Sequence, residues 1–126
     1  MPRSLQAELR SYGIYEPYDG THIPQIRSFT DQVPAIAGTE FGCVLEISGG
    51  RGAVLDWRIS HPPFKDRRGR PVPDFSGELH VRTKRYQVFV GDAVWEPVDE
   101  CCGLWTVAVH HQGRLLVSQA FTVSPP

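Results

Sequence analysis

The chain is poor in the residues that hold small domains together covalently, and it has no long hydrophobic run. It contains three cysteines and one methionine in 126 residues, and two of the cysteines, Cys101 and Cys102, are adjacent. An odd count with an adjacent pair favours reduced thiols over a disulfide framework. No stretch approaches the roughly 20 apolar residues that cross a bilayer. We therefore expect neither a disulfide-stapled fold nor a membrane partner.

An excess of charge of one sign is also missing. The chain has 13 Lys and Arg against 14 Asp and Glu, a formal net charge of -1. A general nucleic-acid binder needs a strong positive field, so we expect no nucleic-acid partner. The first residues, 1–13, show no apolar segment of the kind found in signal peptides, which predicts a cytoplasmic location.

Glycine and proline are abundant, with 12 and 11 copies, and they separate short apolar runs with a period of two. This pattern is typical of strands joined by turns, and no segment shows sustained helical periodicity. We predict a single domain over residues 1–126: an all-β, immunoglobulin-like sandwich of two sheets with about seven to eight antiparallel strands. The candidate strands are 5–15 at a sheet edge, 26–30, 41–48, 53–60, 79–83 and 86–90 (which could also form one bent strand), 103–109 and 115–123.

The last two candidate strands form the clearest hairpin. If Val109 lies opposite Leu115 and Val107 opposite Val117, a three-residue loop, 111–113, ends at Gly113, which adopts a left-handed conformation without steric cost. Strands 41–48 and 53–60 are less clear. A hairpin between them would place Glu46 opposite Asp56, an unfavourable pair of like charges, so they form either a hairpin in another register or strands of different sheets.

The phase of the alternation predicts the core. Cys43 and Trp57 are near the spacing of the core cysteine and tryptophan in immunoglobulin domains, although the second cysteine is missing, and Cys43 is expected to be a small core residue. We expect these side chains to be buried: Leu45, Ile47, Leu55, Trp57, Ile59, Val81, Val88, Trp105, Val107, Val109, Val117, Phe121 and Val123.

The order of several short motifs resembles one bacterial family. The motifs are Gly13-Ile14-Tyr15, Val33-Pro34, 38–42 (Gly-Thr-Glu-Phe-Gly), His61-Pro62-Pro63 followed by Gly69, and a Gly103-x-Trp105 to Phe121-x-Val123 ending. They are similar to those of the domain of unknown function 3859, and the resemblance covers nearly the whole chain. It implies the fold and no activity, because the family has no assigned activity.

No complete catalytic or metal-binding constellation is visible in the sequence. There is no G-x-S-x-G elbow, no C-x-x-C pair and no H-E-x-x-H motif. The histidines are scattered along the sequence, and His80 and His110 would be the first candidates if a metal were bound. We therefore expect a protein that is not an enzyme, with no catalytic residues, no metal and no cofactor.

Two functions remain open. The first is a non-catalytic interaction module in which an edge strand, such as residues 5–15, pairs with a strand of a protein partner or of a second copy. The alternative is a small ligand-binding protein or enzyme that uses the arginine-rich loop 64–77. Its arginines could bind a phosphate or an acidic partner, and Trp95 in a later connection could contact a ligand or a sugar. The candidate binding residues are Arg67, Arg68, Arg70 and Trp95.

Overall fold

A computed structural model describes residues 5–126, so expectations about residues 1–4 lie outside the described part. Over this range the chain forms nine strands and one short 3-10 helix at Val98–Cys101. The strands are β1 (Gln6–Tyr15), β2 (Ile26–Ser28), β3 (Gln32–Pro34), β4 (Glu40–Ser48), β5 (Val54–Ser60), β6 (Phe75–His80), β7 (Arg85–Ala93), β8 (Gly103–His111) and β9 (Arg114–Ser124).

The strands form two sheets that pack face to face, which confirms the predicted all-β sandwich. The four-stranded sheet has the order β2-β1-β4-β7, and the five-stranded sheet has the order β3-β9-β8-β5-β6. All neighbours are antiparallel except β3 and β9, which are parallel. The two candidate strands whose pairing was open, β4 and β5, lie in different sheets.

Aromatic rings fill the centre of the interior. Phe41 packs edge-on against Trp105 and Phe121, with ring centroids 5.2 and 5.5 Å apart. The indole nitrogen of Trp105 donates a hydrogen bond to the Cys101 carbonyl at 2.7 Å, which satisfies the one polar atom of a fully buried side chain. Cys43 is buried in the same core as expected, and burial raises the pKa of its thiol to about 12.

Most of the predicted core is buried, with three exceptions. Trp57, Val88 and Val117 are only half-buried, although all three pack against the core. Val117 lies on β9 where only one side of the strand is paired, and Trp57 and Val88 line an open groove described below. Correct phase therefore placed these side chains in the interior, but the sequence did not show how far the interior is covered.

The register of the β8–β9 hairpin differs from the prediction. Val109, not Val107, lies opposite Val117, and the loop is two residues long, Gln112 and Gly113. Both loop residues have positive φ, 51° and 81°, as in the tight turns whose twist matches that of a hairpin. Without a shift, this loop would pair Val107 with Ser118 and Trp105 with Ala120. Leu116 is left unpaired as a bulge, and the one-residue shift pairs Val109 with Val117 and Trp105 with Phe121.

Two other predicted segments are shorter or longer than expected. The loop predicted over 64–77 ends earlier, because β6 begins at Phe75 and extends to His80 rather than running from 79 to 83. The strand predicted at 86–90 extends over the whole of β7. Alternation alone could not set these limits because Gly77 and Gly91 interrupt the apolar pattern inside strands.

Candidate functional site

The arginines of the predicted binding loop are exposed and are organised by one aspartate. An isolated bridge between Lys65 and Pro71 closes the loop. Asp66 Oδ1 accepts hydrogen bonds from the backbone nitrogens of Arg68 at 2.8 Å and Arg70 at 3.0 Å. Arg70 Nε also lies 3.7 Å from Asp66 Oδ2. Asp66 thus fixes the turn and offsets part of the positive charge on which the predicted anion binding depends.

Trp95 packs within an aromatic cluster at one end of the sandwich. Its ring centroid lies 5.3 Å from Phe64, 6.2 Å from Phe75 and 5.5 Å from Trp105. Its indole N–H donates to Glu100 Oε1 at 3.2 Å. Neither of the two grooves described below is lined by Trp95 or by Arg67, Arg68 or Arg70. A ligand site at these four residues therefore stays a prediction.

A different site lies between two free sheet edges. β7 is the last strand of the four-stranded sheet, and β6 is the last strand of the five-stranded sheet. Between them runs a groove of about 360 Å³, called the edge groove from here on. Side chains that point between the sheets form its apolar part, and other residues of both edges complete it. The apolar part consists of Trp57, Ile59, Leu79, Tyr86, Val88 and Val90. The other lining residues are Tyr18, Glu78, His80, Arg82, Phe89 and Gly91.

The edge groove exists because the sheets have unequal width. On the far side of the sandwich β1 contacts β9 across the interior. Following the strand orders from that pair, β4 lies over β8 and β7 over β5, which leaves β6 without a strand opposite it, although its inward residue Leu79 is buried. Trp57 and Val88 are half-buried at this uncovered margin although they have the phase of core residues. At this margin the four-stranded sheet is one strand narrower than the five-stranded sheet, and the missing position is beside β7.

Gly77 allows the Trp57 ring to reach the margin. The two residues are directly opposite on β6 and β5. A Cβ atom on Gly77 would lie 2.7 Å from Trp57 Cζ2 and 2.8 Å from Nε1, closer than side chains tolerate. The indole therefore occupies the space where a side chain of β6 would stand, and its remaining surface faces the edge groove.

The outer face of β7 carries a second, small aromatic core. The Phe89 ring lies 5.0 Å from both the Tyr15 and the Tyr18 rings. Next to it Gly42 and Gly91 are paired across β4 and β7, and a Cβ on Gly91 would lie 2.7 Å from Phe89 Cζ. Tyr18 is held in place where its backbone nitrogen donates to Glu40 Oε1 at 3.1 Å. Tyr15 and Phe89 are buried in this cluster, and Tyr18 is the ring of the three that is partly exposed on the outer face beside β7.

Charge is concentrated at one end of the edge groove. Arg82, Lys84 and Arg85, here called the basic corner, lie in the β6–β7 connection and at the start of β7. Arg82 and Lys84 form no ion pair within the described part of the chain, and Arg85 Nε lies 4.0 Å from Glu46 Oε2. The acidic residue lining this end is Glu78, whose Oε1 is 3.9 Å from His80 Nε2.

The opposite end of β7 carries a half-buried carboxyl group. Asp92 follows Gly91 and is half-buried, and loss of solvent raises the pKa of its carboxyl. Its own backbone neighbour, the Ala93 N–H, donates to Asp92 Oδ1 at 2.7 Å. Partly buried charges near an edge discourage strand pairing, so the stretch of β7 suited to pairing ends before Asp92.

The free edges of β1 and β9 are interrupted by bulges, whereas the shorter β6 edge keeps one register with β5 over six residues. β1 pairs with β4 along its length but with β2 only at Ile14 and Tyr15, so residues 6–13 form the predicted free edge. Arg10 is bulged out of the β1–β4 ladder, as Leu116 is on β9. β7, in contrast, pairs with β4 in one unbroken register of nine residues. Bulges are a common device against pairing with another chain, and β7 lacks one.

The residues considered for metal or thiol chemistry are not assembled. Within residues 5–126 no group of three His, Cys, Asp or Glu could hold a metal ion. His80 and His110 lie on β6 and β8, which are separated by β5. His110 is opposite Asp56, next to Glu78, at a second groove of about 520 Å³ on the outer face of the five-stranded sheet. The three cysteines are free thiols, and burial raises the pKa of Cys101.

No helix in the described part of the chain is long and apolar enough to span a membrane.

In the described part of the chain the fold is an immunoglobulin-like β-sandwich in which the β7 and β6 edges flank an open groove. The chain belongs to the family described as Domain of unknown function (DUF3859), which matches residues 3–123. Among solved structures it is similar to an immunoglobulin-like protein from Pseudomonas aeruginosa, with 22% identity, 98% of each chain covered and a TM-score of 0.81. At that identity the similarity shows the fold. A search of curated proteins gives no match.

The alternation pattern did not predict the edge groove, although two other features of the sequence pointed to it. Trp57 and Val88 have the phase of core residues, and only the strand order shows that they lie at a margin. A glycine inside a strand pattern, such as Gly77, often marks a close approach, and this was the available signal for the position of the indole. Arg82, Lys84 and Arg85 were visible as a local cluster of positive charge next to the strand that forms the groove.

Proposed function

We propose that the protein is a non-catalytic interaction module that binds an extended segment of a partner protein as an additional strand beside β7. The observation that supports this proposal is the unequal width of the sheets, which leaves β6 without a strand opposite it and the edge groove open. A strand added next to β7 would lie about 4.8 Å from it and would stand over β6.

Backbone and side chains would both contribute to this binding. The unpaired edge of β7 offers N–H and C=O groups for main-chain hydrogen bonds, which give affinity in strand addition. Successive side chains of the added strand point to opposite faces of a sheet. One set would contact the half-buried Trp57 and Val88 in the edge groove, and the other would lie beside the partly exposed Tyr18. These two sets of pockets would supply the specificity.

The alternative edge at β1 is less suited to the same role. Its bulge at Arg10 breaks the regular ladder, and Glu8 and Arg10 form an exposed ion pair at 3.4 Å beside the free edge. Charged side chains and bulges both reduce pairing at an edge. A second copy of this chain pairing through β1 or β7 is one possible result of the experiment below, and it would show up as a dimer.

The proposal is tested with a designed peptide of nine residues, the length of β7, in which valine and threonine alternate around a central phenylalanine. Binding is followed by backbone amide shifts during a titration, with the solution mass recorded in parallel. We expect the shifts to be concentrated along β7 and in the indole signal of Trp57. Little change is expected on β1 or β9.

A matched pair of variants locates the binding edge. Val88→Lys places an inward charge in the edge groove, whereas Val117→Lys places one beside the free edge of β9, and both valines are half-buried and face the interior. We expect Val88→Lys to weaken the peptide at least tenfold and Val117→Lys to leave it unchanged. Equal loss in both variants, shifts confined to β1 or β9, absence of any binding, or a dimer that excludes the peptide would overturn the proposal.

A further inference from the structure

The charge distribution around the edge groove says more about the partner, on the condition that β7 is the binding edge. We infer that the partner segment runs antiparallel to β7 and carries acidic residues immediately downstream of its apolar stretch. The observation is the basic corner at the start of β7, where Arg82 lines the groove and lies beside Lys84 and Arg85.

The groove has a direction because its charged and apolar parts are separated. Its charged lining residues, Glu78, His80 and Arg82, all lie at the end where β6 connects to β7. The lining then becomes apolar along Val88, Val90 and Gly91. A partner segment therefore meets apolar surface over most of its length and positive charge at one end.

The carboxylates already at this end have polar or basic neighbours. Glu78 lies next to His80, and Glu46 accepts a hydrogen bond from Gln87 Nε2 at 3.3 Å and lies near Arg85. Arg82 and Lys84 are exposed and have no carboxylate of the described chain within ion-pair distance. Positive charge thus remains available, and it attracts carboxylates during encounter and after docking.

The far end of the groove disfavours acidic residues in the partner. Asp92 directly follows the last lining residue, Gly91, and is half-buried; burial raises the pKa of its carboxyl, and the Ala93 N–H and His61 offset part of that rise. Glu40, which is opposite Ala93, also has a carboxyl pKa raised by burial, and the charge of Asp92 contributes to that increase. A further negative charge at this end would be repelled by these carboxylates. The acidic residues of a partner segment should therefore lie at the basic corner and its uncharged residues at the Asp92 end.

An antiparallel strand turns this charge pattern into a sequence pattern. β7 already pairs antiparallel with β4, and antiparallel ladders have the better hydrogen-bond geometry. A segment antiparallel to β7 begins near Gly91 and finishes near Arg85. Its downstream residues then reach Arg82 and Lys84, which gives the order apolar alternation first and acidic residues second.

The test uses three capped peptides that share the alternating valine, threonine and phenylalanine segment. The first is followed by two aspartates, the second is preceded by two aspartates, and the third is followed by two lysines. At low ionic strength we expect the first to bind about tenfold more tightly than the third and several-fold more tightly than the second. The differences should nearly vanish in about 1 M salt, where the screening length falls to about 3 Å.

Charge reversal on the protein provides the matched control. The double variant Arg82→Glu and Lys84→Glu should reverse the preference between the first and third peptides while amide shifts stay on β7. The double variant Arg67→Glu and Arg68→Glu, in the exposed loop at 65–71, should leave the preference unchanged.

The outcomes separate this inference from the proposed function. If no peptide binds at β7, the proposed function fails. If all three peptides bind at β7 with equal affinity, the proposed function stands and the charge inference is wrong. Tighter binding of the second peptide than the first would overturn the antiparallel direction. Loss of preference in the loop variant would place the acidic contact at Arg67 and Arg68 instead.

Discussion

The two open sides of the sandwich differ in how their edges are built. On one side β1 and β9 face each other, and both carry a bulge, at Arg10 and Leu116. On the other side β7 keeps one unbroken register, and the neighbouring sheet extends one strand further. Both sides expose backbone groups, but only the second combines a regular edge with uncovered apolar surface. Edge regularity and sheet width, more than exposure alone, mark a surface suited to strand addition.

The largest expected difference is between two tryptophans, one central and one at the margin. Trp105 is fully buried, and Trp105→Ala should lower the free energy of unfolding by about 4 kcal/mol. Trp57→Ala should cost about 2 kcal/mol because the indole is only partly removed from water. Denaturant titration measures both. An equal cost for the two would mean that the Trp57 side of the sandwich is closed in solution.

The second-largest expected effect is a pH dependence of the free energy of unfolding that comes from Cys43 in the interior. Burial raises the pKa of Cys43 from 9.0 to about 12, so that the folded chain keeps a proton that the unfolded chain loses. Stability from this source is complete below about pH 9 and is lost as the pH rises toward 12, by up to a few kcal/mol. Denaturation of Cys43→Ala between these pH values should show a flatter dependence than the parent chain. Parallel curves would contradict the assignment.

A smaller effect is expected from the close contact between Gly77 and Trp57 at the edge groove. Gly77→Ala should destabilise the protein by about 2 kcal/mol because its Cβ would meet the Trp57 ring. In a Trp57→Ala background the same substitution should have an effect within about 0.5 kcal/mol. This double-mutant cycle measures the coupling between the two residues. Additive costs would show that the indole does not occupy the space beside Gly77.

The smallest expected effect concerns the bulged side. Replacing Glu8 and Arg10 by valine removes one exposed ion pair, and stability should change by less than about 0.5 kcal/mol. The protection of the β1 edge should decrease, so we expect the variant to self-associate more strongly than the parent chain as concentration rises. Sedimentation of the parent and the variant provides the comparison. A monomeric variant would assign the protection of β1 to its bulge alone.

Local sequence signals predicted the strands better than their extent and pairing. Alternation at Trp105, Val107 and Val109 correctly predicted a buried face, because side-chain period follows directly from strand geometry. The hairpin register was wrong because a two-residue turn and a bulge at Leu116 give nearly the same alternation as a three-residue loop. Nothing local distinguished the two.

The candidate site was harder to predict because it depends on strand order. Phase placed Trp57 correctly in the interior, but its partial exposure follows from the missing neighbour of β7, which is a property of the whole sheet. Trp95 stood out as an isolated aromatic residue in a connection, yet it packs against Phe64, Phe75 and Trp105. That the protein is not an enzyme, that it has no cofactor and that it is cytoplasmic all stay predictions.

Amide hydrogen exchange along the two sides, with and without the designed alternating peptide, tests the central claim most directly. Strand addition beside β7 should slow exchange at alternate amides of residues 85–91, leaving residues 6–13 of β1 and 114–121 of β9 unchanged. Equal slowing on both sides, or slowing confined to β1 and β9, would contradict the claim that β7 is the edge prepared for a partner.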